Sequence, residues 1–405
     1  HTGEQQLPED GGHYLLCEGS SYSYALTKYG YEAVSGTLTV TRDDAGALVI
    51  SNGTEVYPVT ETEDGGAAVI AWSLNQAASN PAIDPYIPAQ WADFRGSDTN
   101  NGVTDAPIPT AAQDGTLYWA NQLGVGFDSD AVGSPILVDG DIITYAGDKI
   151  YRIDTVSGEI KAKAAMDHKS SFSITPPVYA DGMVFVALSG GTVQAFNAST
   201  LESLWIYTDK LGGQPNCPLT VKNGYLYTGF WNSEVAQANL VCLSVTDEDP
   251  AQTTEDKLAA WTYASAGGFY WAGAYVCSDY LLIGTDDGDS SCISETSALL
   301  CIDPADGRLM DSITGLKGDI RCNIARDGER FYFTSKGGYF YSVAAPEKSG
   351  GDWLLDDGSL RAVALENGGD AAHPAMSTCT PVVYNGRAYI GVSGTGQFTP
   401  YSGHN

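Results

Sequence analysis

The chain has 405 residues and a formal net charge of −30, from 50 acidic and 20 basic side chains. That charge repels phosphate backbones and anionic headgroups, which argues against nucleic-acid and membrane-surface partners, and no apolar run approaches the ~20 residues a helix needs to cross a bilayer. Abundant glycine (47) and tyrosine (24), with almost no helical periodicity, point to an all-β chain, and the acidity suits a soluble protein outside the cell.

Residues 1–80 read as a tail and a small β-sandwich. YSYALTKYGYEAVSGTLTVTRDDAGALVI alternates apolar and polar side chains around a GYE turn, the pattern of half-buried strands. Residues 81–115 form a linker and a lead-in, QWADFRGSDTNNGVTDAPIP, rich in turn formers.

From residue 116 to 405 the chain repeats. SPILVDGDIITYAGDKIYRIDTVSGEI returns as PPVYADGMVFVALSGGTVQAFNASTLESLW, then less regularly in CPLTVKNGYLYTGF with LAAWTY, in AYVCSDYLLIGT with LLCIDPADGRLMDSI, in CNIARDGERFYFTSKGGYFYSVA with SLRAVALE, and in TPVVYNGRAYIGVSG. Each unit has two β runs joined by Asp-Gly or Asn-Gly, which supply the positive φ of a tight hairpin, then a third and a fourth run. Units of about 40–58 residues with four strands predict a β-propeller of six blades, with seven open. A β-helix repeats at much shorter intervals.

Eight cysteines, without a CxxC pair, argue against a zinc ribbon or a thioredoxin-type centre. Cys242 and Cys301 fall at equivalent third-strand positions, aligned with Ala195, as small buried residues. Cys322 and Cys379 begin adjacent units, where a disulfide or a metal site is the alternative to buried thiols.

IYRIDTVSGEI, VQAFNASTLESLW and LLCIDPADGRL resemble the PQQ-like propeller repeats of quinoprotein dehydrogenases and of the Bam-complex assembly lipoprotein. The amino-terminal run resembles PEGA-like or carboxypeptidase-regulatory-like modules of bacterial surface proteins. The propeller resemblance implies that an early strand, here residues 116–123, completes the last blade. It also implies that ligands bind on the face where loops enter the innermost strands and where second and third strands join.

Repeat alignment puts residues 126–133, 168–175, 211–217, 265–273, 316–322 and 371–379 in the first set of loops. The second set includes FWNSE at 230–234, DDGDSS at 286–291 and SKGG at 335–338. GGFYWAG at 267–273 is the most unusual of these, because three consecutive large rings cannot all enter one core from a regular strand. Phe230, Trp231, Asn232, Phe269, Tyr270 and Trp271, with His373 on the same face, are the candidate ligand-binding residues. Stacked rings beside amides suit a sugar, a planar group or a peptide side chain, and the alternative is that some of these rings pack between blades. Asp286, Asp287 and Asp289 are metal candidates, since calcium takes oxygen ligands, although the run lacks the EF-hand pattern and a solvated acidic turn explains it as well.

There is no G-x-S-x-G elbow, H-E-x-x-H helix, P-loop or dinucleotide fingerprint. The reading is a non-catalytic extracellular or cell-surface binding or scaffold protein, with a protein, peptide, glycan or small molecule on the loop face. The alternatives are a quinoprotein-type oxidoreductase and a hydrolase or lyase that works in the channel. The chain departs from the quinoproteins in having no adjacent cysteine pair, too few units and no calcium framework. PQQ is therefore not expected, no cofactor is assigned, and Ca²⁺ stands as the one candidate.

Overall fold

The computed structural model describes residues 14–62, 65–107, 115–124, 131–171, 173–365 and 375–392. Its repeats fold as five antiparallel sheets of at least four strands, followed by a sixth, two-stranded sheet, and the described residues contain no α-helix. Blade 1 is built from Ile136–Val138, Asp141–Ala146, Lys149–Asp154 and Ile160–Ala165, and blade 2 from Val178–Ala180, Met183–Leu188, Thr192–Asn197 and Ser203–Thr208. Blade 3 comprises Thr220–Lys222, Tyr225–Gly229, Ala238–Ser244 and Ala259–Ser265; blade 4 comprises Tyr275–Val276, Leu281–Gly284, Ser297–Ile302 and Leu309–Leu316. Blade 5 uses Ala325–Asp327, Arg330–Ser335, Tyr339–Ala344 and Arg361–Ala364, and blade 6 shows Val382–Tyr384 and Arg387–Tyr389.

The first hairpin turns form as their residues dictate. Asp139-Gly140, Asp181-Gly182, Asn223-Gly224 and Asn385-Gly386 all hold both central φ angles positive, the geometry that matches strand twist. The third and fourth strands of blades 1, 2 and 4 are joined by a second recurring turn, in which Gly158, Leu201 and Gly307 donate their N–H to Asp154, Asn197 and Asp303 at 2.8–2.9 Å.

The blades bury their faces against one another. One apolar cluster joins blades 1 and 2, through Ile143, Val184 and Phe196, and another joins blades 2 and 3, through Phe185, Trp205 and Val241. Two more join blades 3 and 4, through Trp261 and Ile283, and blades 4 and 5, through Leu282 and Phe331. A tryptophan locks successive blades. The Trp205 indole donates to the carbonyl of Val245 and that of Trp261 to Pro304 at 3.0 Å, and the Trp261 ring lies where a Cβ on Gly307 would fall.

Residues 116–123 are not the strand expected there and join no ladder. Trp119 nevertheless takes the same station against blade 1, donating to the Thr155 carbonyl at 3.0 Å with its ring over Gly158. The segment therefore holds the flank where the outer strand of a preceding blade would lie, with Asn121 bonded to Gly158.

Ala89–Trp91 adds a strand to the inner edge of blade 1. From there the lead-in reaches every other blade. The Ala92 carbonyl accepts from Tyr179, Asp98 pairs with Lys222, and Asn100 donates to the carbonyls of Ala274 and Ile324. Arg95 donates to the carbonyls of Thr380 and Pro381, and Asn101 pairs with both backbone groups of Val383. One short segment can touch the innermost strand of all six blades only where those strands converge, so it crosses the axis inside the ring of innermost strands.

The amino-terminal residues form one antiparallel meander, Ser21–Leu26, Val34–Arg42, Leu48–Ser51 and Val56–Pro58, and a separate hairpin of Thr60–Thr62 with Gly65–Ala67. Trp72 covers the sheet through Tyr24, with ring centroids 4.6 Å apart. This unit sits on blades 2 and 3, where Tyr29 donates to Asp181 at 3.0 Å and Gly30 to Thr246 at 2.7 Å. Both contacts fall at turns of these two blades.

Candidate ligand site on the loop face

GGFYWAG enters blade 4 by a path that its glycines make possible. A Cβ on Gly267 would fall 2.7 Å from the backbone of Gly288, one on Gly268 2.8 Å from Ala238, and one on Gly273 2.1 Å from the amide of Asn323. Only glycine permits such close approach, and the run is thereby wedged between blade 3, the DDGDSS loop and blade 5. The three rings separate. Phe269 is fully buried in the core between blades 3 and 4, while Tyr270 and Trp271 stay half-buried at the surface. Trp271 holds φ +57°, a left-handed conformation costly for a large side chain.

Tyr270 stacks on Trp271 at 4.5 Å and on Trp231 at 4.6 Å. Trp231 comes from the blade 3 loop, whose Phe230 is another core residue. Asn232 turns back onto its own loop, donating to the carbonyls of Leu211 and Gln237. The expected aromatic set thus divides into a surface stack of Trp271, Tyr270 and Trp231 and two core rings. His373 lies outside the described residues.

A charged cluster underlies the stack. Arg321, brought by the loop into blade 5, places its guanidinium 4.6 Å from the Tyr270 ring centre, within cation–π range. It forks onto Asp286, with Nη2 at 2.6 Å, and also pairs with Asp319 at 2.9 Å and with Glu234. Lys336 lies 3.6 Å from Asp319. The side chains of Asp286 and Asp319 are wholly buried.

Burial pushes the Asp286 carboxyl well above the usual range, with Arg321 pulling it down and Asp319 and Glu234 pushing it up. Burial also raises Asp319, to about 6, against the pull of Arg321 and Lys336. For Arg321, burial works against the charge, but Asp286 and Asp319 outweigh it and hold the guanidinium ionised.

The three aspartates of DDGDSS do not converge. Asp286 turns to Arg321, Asp287 accepts from Ser294 and from the Asp289 N–H, and Asp289 caps the Ser291 N–H. The run is a buried structural loop at its start and a solvated turn only at its end. Arg321, Asp319, Glu234 and Lys336 were within the loops that repeat alignment collected, yet nothing in the sequence singled them out. The one available signal was a lone arginine among loops otherwise rich in acids and small residues.

Glu234, Cys292 and Asp319 offer ligand atoms within 4.8 Å of one another, the donor set a metal would use. Arg321 already pairs with both carboxylates of this set, and burial pushes the Cys292 thiol upward. A second cation would stand beside a fixed guanidinium, and these residues do not fit a metal. They do not fit a stacked quinone and its cysteine pair either, because all eight cysteines are free and both Tyr270 neighbours are protein rings. Cys242 and Cys301 are buried opposite Tyr227 and Leu282, as Ala195 is opposite Phe185. A recess of about 220 Å³ lined by Gln90, Trp91, Asp93 and Asp98 lies beside the lead-in, away from this cluster.

The family model described as outer membrane protein assembly factor BamB matches residues 108–247. Among curated proteins none matches significantly. Quinohemoprotein alcohol dehydrogenase of Comamonas testosteroni superposes with a TM-score of 0.51 at 14% identity, over 67% of this chain and 52% of that one. The enzyme ADHIIG of Pseudomonas putida HK5, another quinohemoprotein alcohol dehydrogenase, gives 0.49 at 14%, over 73% and 52%. The chain spans about half the length of these dehydrogenases. The family match and the first superposition agree on the fold, an all-β propeller of the PQQ-like type.

Proposed function

We propose that this chain is a non-catalytic binding or scaffold protein that works outside the cytoplasm and engages its ligand on the propeller's loop face, at the junction of blades 3, 4 and 5. Residues 1–80 serve as an accessory module, 81–115 as the lead-in, and 116–405 as the propeller. The observation that carries the reading is the Arg321 cluster. Among the described residues, the three carboxylates beside the stack, Asp286, Asp319 and Glu234, are all tied to Arg321, next to a stack of three rings. Such a site has recognition surface, and its described carboxylates are held in ion pairs.

Two further points support it. The opposite face carries the amino-terminal unit, which leaves the loop face for other molecules. The family whose model matches is named for an outer-membrane assembly factor, in keeping with a binding role and an envelope location. The dehydrogenases share the fold, and function does not follow from fold alone.

The test is a peptide and glycan binding screen on the parent, Trp271→Ala and Trp231→Ala. Loss of the parent's binding in both variants is expected; equal binding by all three would remove the loop-face reading. A saturable rise in melting temperature on adding PQQ with Ca²⁺ would favour the oxidoreductase instead.

A further inference from the structure

The loop-face reading leaves the ligand's chemistry open, and two atoms beside the stack narrow it. Oδ1 of Asn216, a residue with no exposed surface, and Nε1 of Trp231 are both buried without a hydrogen-bond partner. They belong to one small assembly. Gln214 pairs its main chain with Trp231, its Oε1 accepts from Asn216 Nδ2 at 3.1 Å, and Asn216 also hydrogen-bonds to Tyr270. Buried polar groups in folded proteins almost always have partners.

One orphan is an acceptor and the other a donor. A phosphate or carboxylate would satisfy only the indole N–H, and an ammonium only the amide oxygen, whereas a hydroxyl donates and accepts at once. Charge selects in the same direction. Asp286, Asp319 and Glu234 against Arg321 and Lys336 leave an acid excess, which together with the net charge of −30 repels an anion. A cation finds each of those carboxylates already paired. A neutral group that donates and accepts remains, a hydroxyl or an amide, and of these the hydroxylated class also suits the partly exposed outer ring of the stack, Trp271, whose flat apolar face the ring face of a sugar covers.

We propose that the site binds a neutral pyranose, stacked on Trp271, with one hydroxyl bridging Asn216 Oδ1 and Trp231 Nε1. Both atoms are closed to solvent, so binding includes an outward turn of Trp231. The proposal rests on the loop-face reading and adds the ligand class to it.

The test titrates the full chain with cellohexaose, maltohexaose, xylohexaose and chitohexaose, with polygalacturonate and hexalysine as charged probes, read by calorimetry and indole fluorescence. At least one neutral saccharide should saturate with a fluorescence change and outbind both charged probes. Trp271→Ala should weaken it by about tenfold or more. Trp231→Phe, which keeps a ring and removes the N–H, should weaken it by about five- to tenfold, while Asn216→Asp, which keeps an acceptor, should bind better than Asn216→Ala. Saccharide binding indifferent to Trp231→Phe and Asn216→Ala overturns the proposal. Hexalysine or a screened peptide binding through Trp271 while every saccharide fails removes the sugar class and leaves the loop-face reading standing. No response to any probe or screened peptide removes both.

Discussion

Replacing Arg321 with methionine keeps most of the side chain's length and removes its charge, and the structure sets the size and pH dependence of the result. In the parent, two buried carboxylates, Asp286 and Asp319, share this guanidinium. Removing one member of a buried ion pair costs about 3–5 kcal/mol, because the remaining charge is left without compensation. Asp319 has a folded-state pKa raised from 3.8 to about 6, so the folded state holds its proton more tightly than the unfolded state. Its contribution to stability is therefore full below about pH 4 and lost as pH climbs through 6, by about 3 kcal/mol for a shift of this size. Asp286 moves in the same direction. Arg321 is the strongest group pulling both values down, and without it they rise further. The variant should then lose about 3–5 kcal/mol at pH 8, where the carboxyls must ionise uncompensated, and roughly half of that at pH 5, where Asp319 is already protonated. Urea unfolding of both proteins at the two pH values measures this. An equal loss at pH 5 and pH 8, or a loss below about 1 kcal/mol at pH 8, would show that the cluster is solvated and would refute the reasoning.

The lead-in should prove essential to the last blade. Asn101→Ala leaves the N–H and carbonyl of Val383 without the partners they have at 2.7 and 2.9 Å, at about 1–3 kcal/mol, and hydrogen exchange should quicken in Val382–Tyr384 while blades 2 and 3 keep their protection. Uniform loss of protection, or none, would contradict the axial assignment. Gly273→Ala puts a Cβ 2.1 Å from the Asn323 amide and should lower stability by about 1–3 kcal/mol, with a change in indole fluorescence because the adjoining stack must shift; a melting curve superimposable on the parent's would count against the close approach.

The repeats were legible because the turns that define them are local chemistry. Asp-Gly and Asn-Gly favour positive φ, and Asp139-Gly140, Asp181-Gly182, Asn223-Gly224 and Asn385-Gly386 hold both residues there, whereas at Asp327-Gly328 only the glycine does. The equivalence of Ala195, Cys242 and Cys301 followed from the same alignment. The sequence also pointed to 116–123 as a closing segment. The docking of Trp119 against blade 1, in the manner of Trp205 and Trp261, accords with that place, whereas the ladder does not form because pairing depends on a partner strand elsewhere in the chain. The charged cluster was illegible for a related reason. Asp286, Asp319 and Arg321 come from two loops, Glu234 from a third and Lys336 from a fourth, and an ion network has no local signature until a fold brings its members together. Composition could mark GGFYWAG as unusual, but it could not divide the run, because the burial of Phe269 is decided by blade 3 and the position of Tyr270 by Trp231.

Which face can receive a ligand follows from how the chain is threaded. The lead-in touches the innermost strand of each blade along its length, and the amino-terminal unit adds Tyr29 and Gly30 to the turns of blades 2 and 3. Those contacts use the backbone and turn groups that a partner would otherwise meet on that side. At the other end the loops carry longer excursions, and there Trp231, Tyr270 and Trp271 stand at the surface beside the Arg321 ion network. Rings held this way keep their apolar faces without being drawn into a blade interface, because Arg321 fixes Tyr270 from below at 4.6 Å and the glycines of the run fix its backbone on both sides. Tyr270 and Trp271, held in this way, lose little side-chain entropy on binding, while Trp231 is the ring that turns. On the proposed reading, the ion network is the support of a recognition surface.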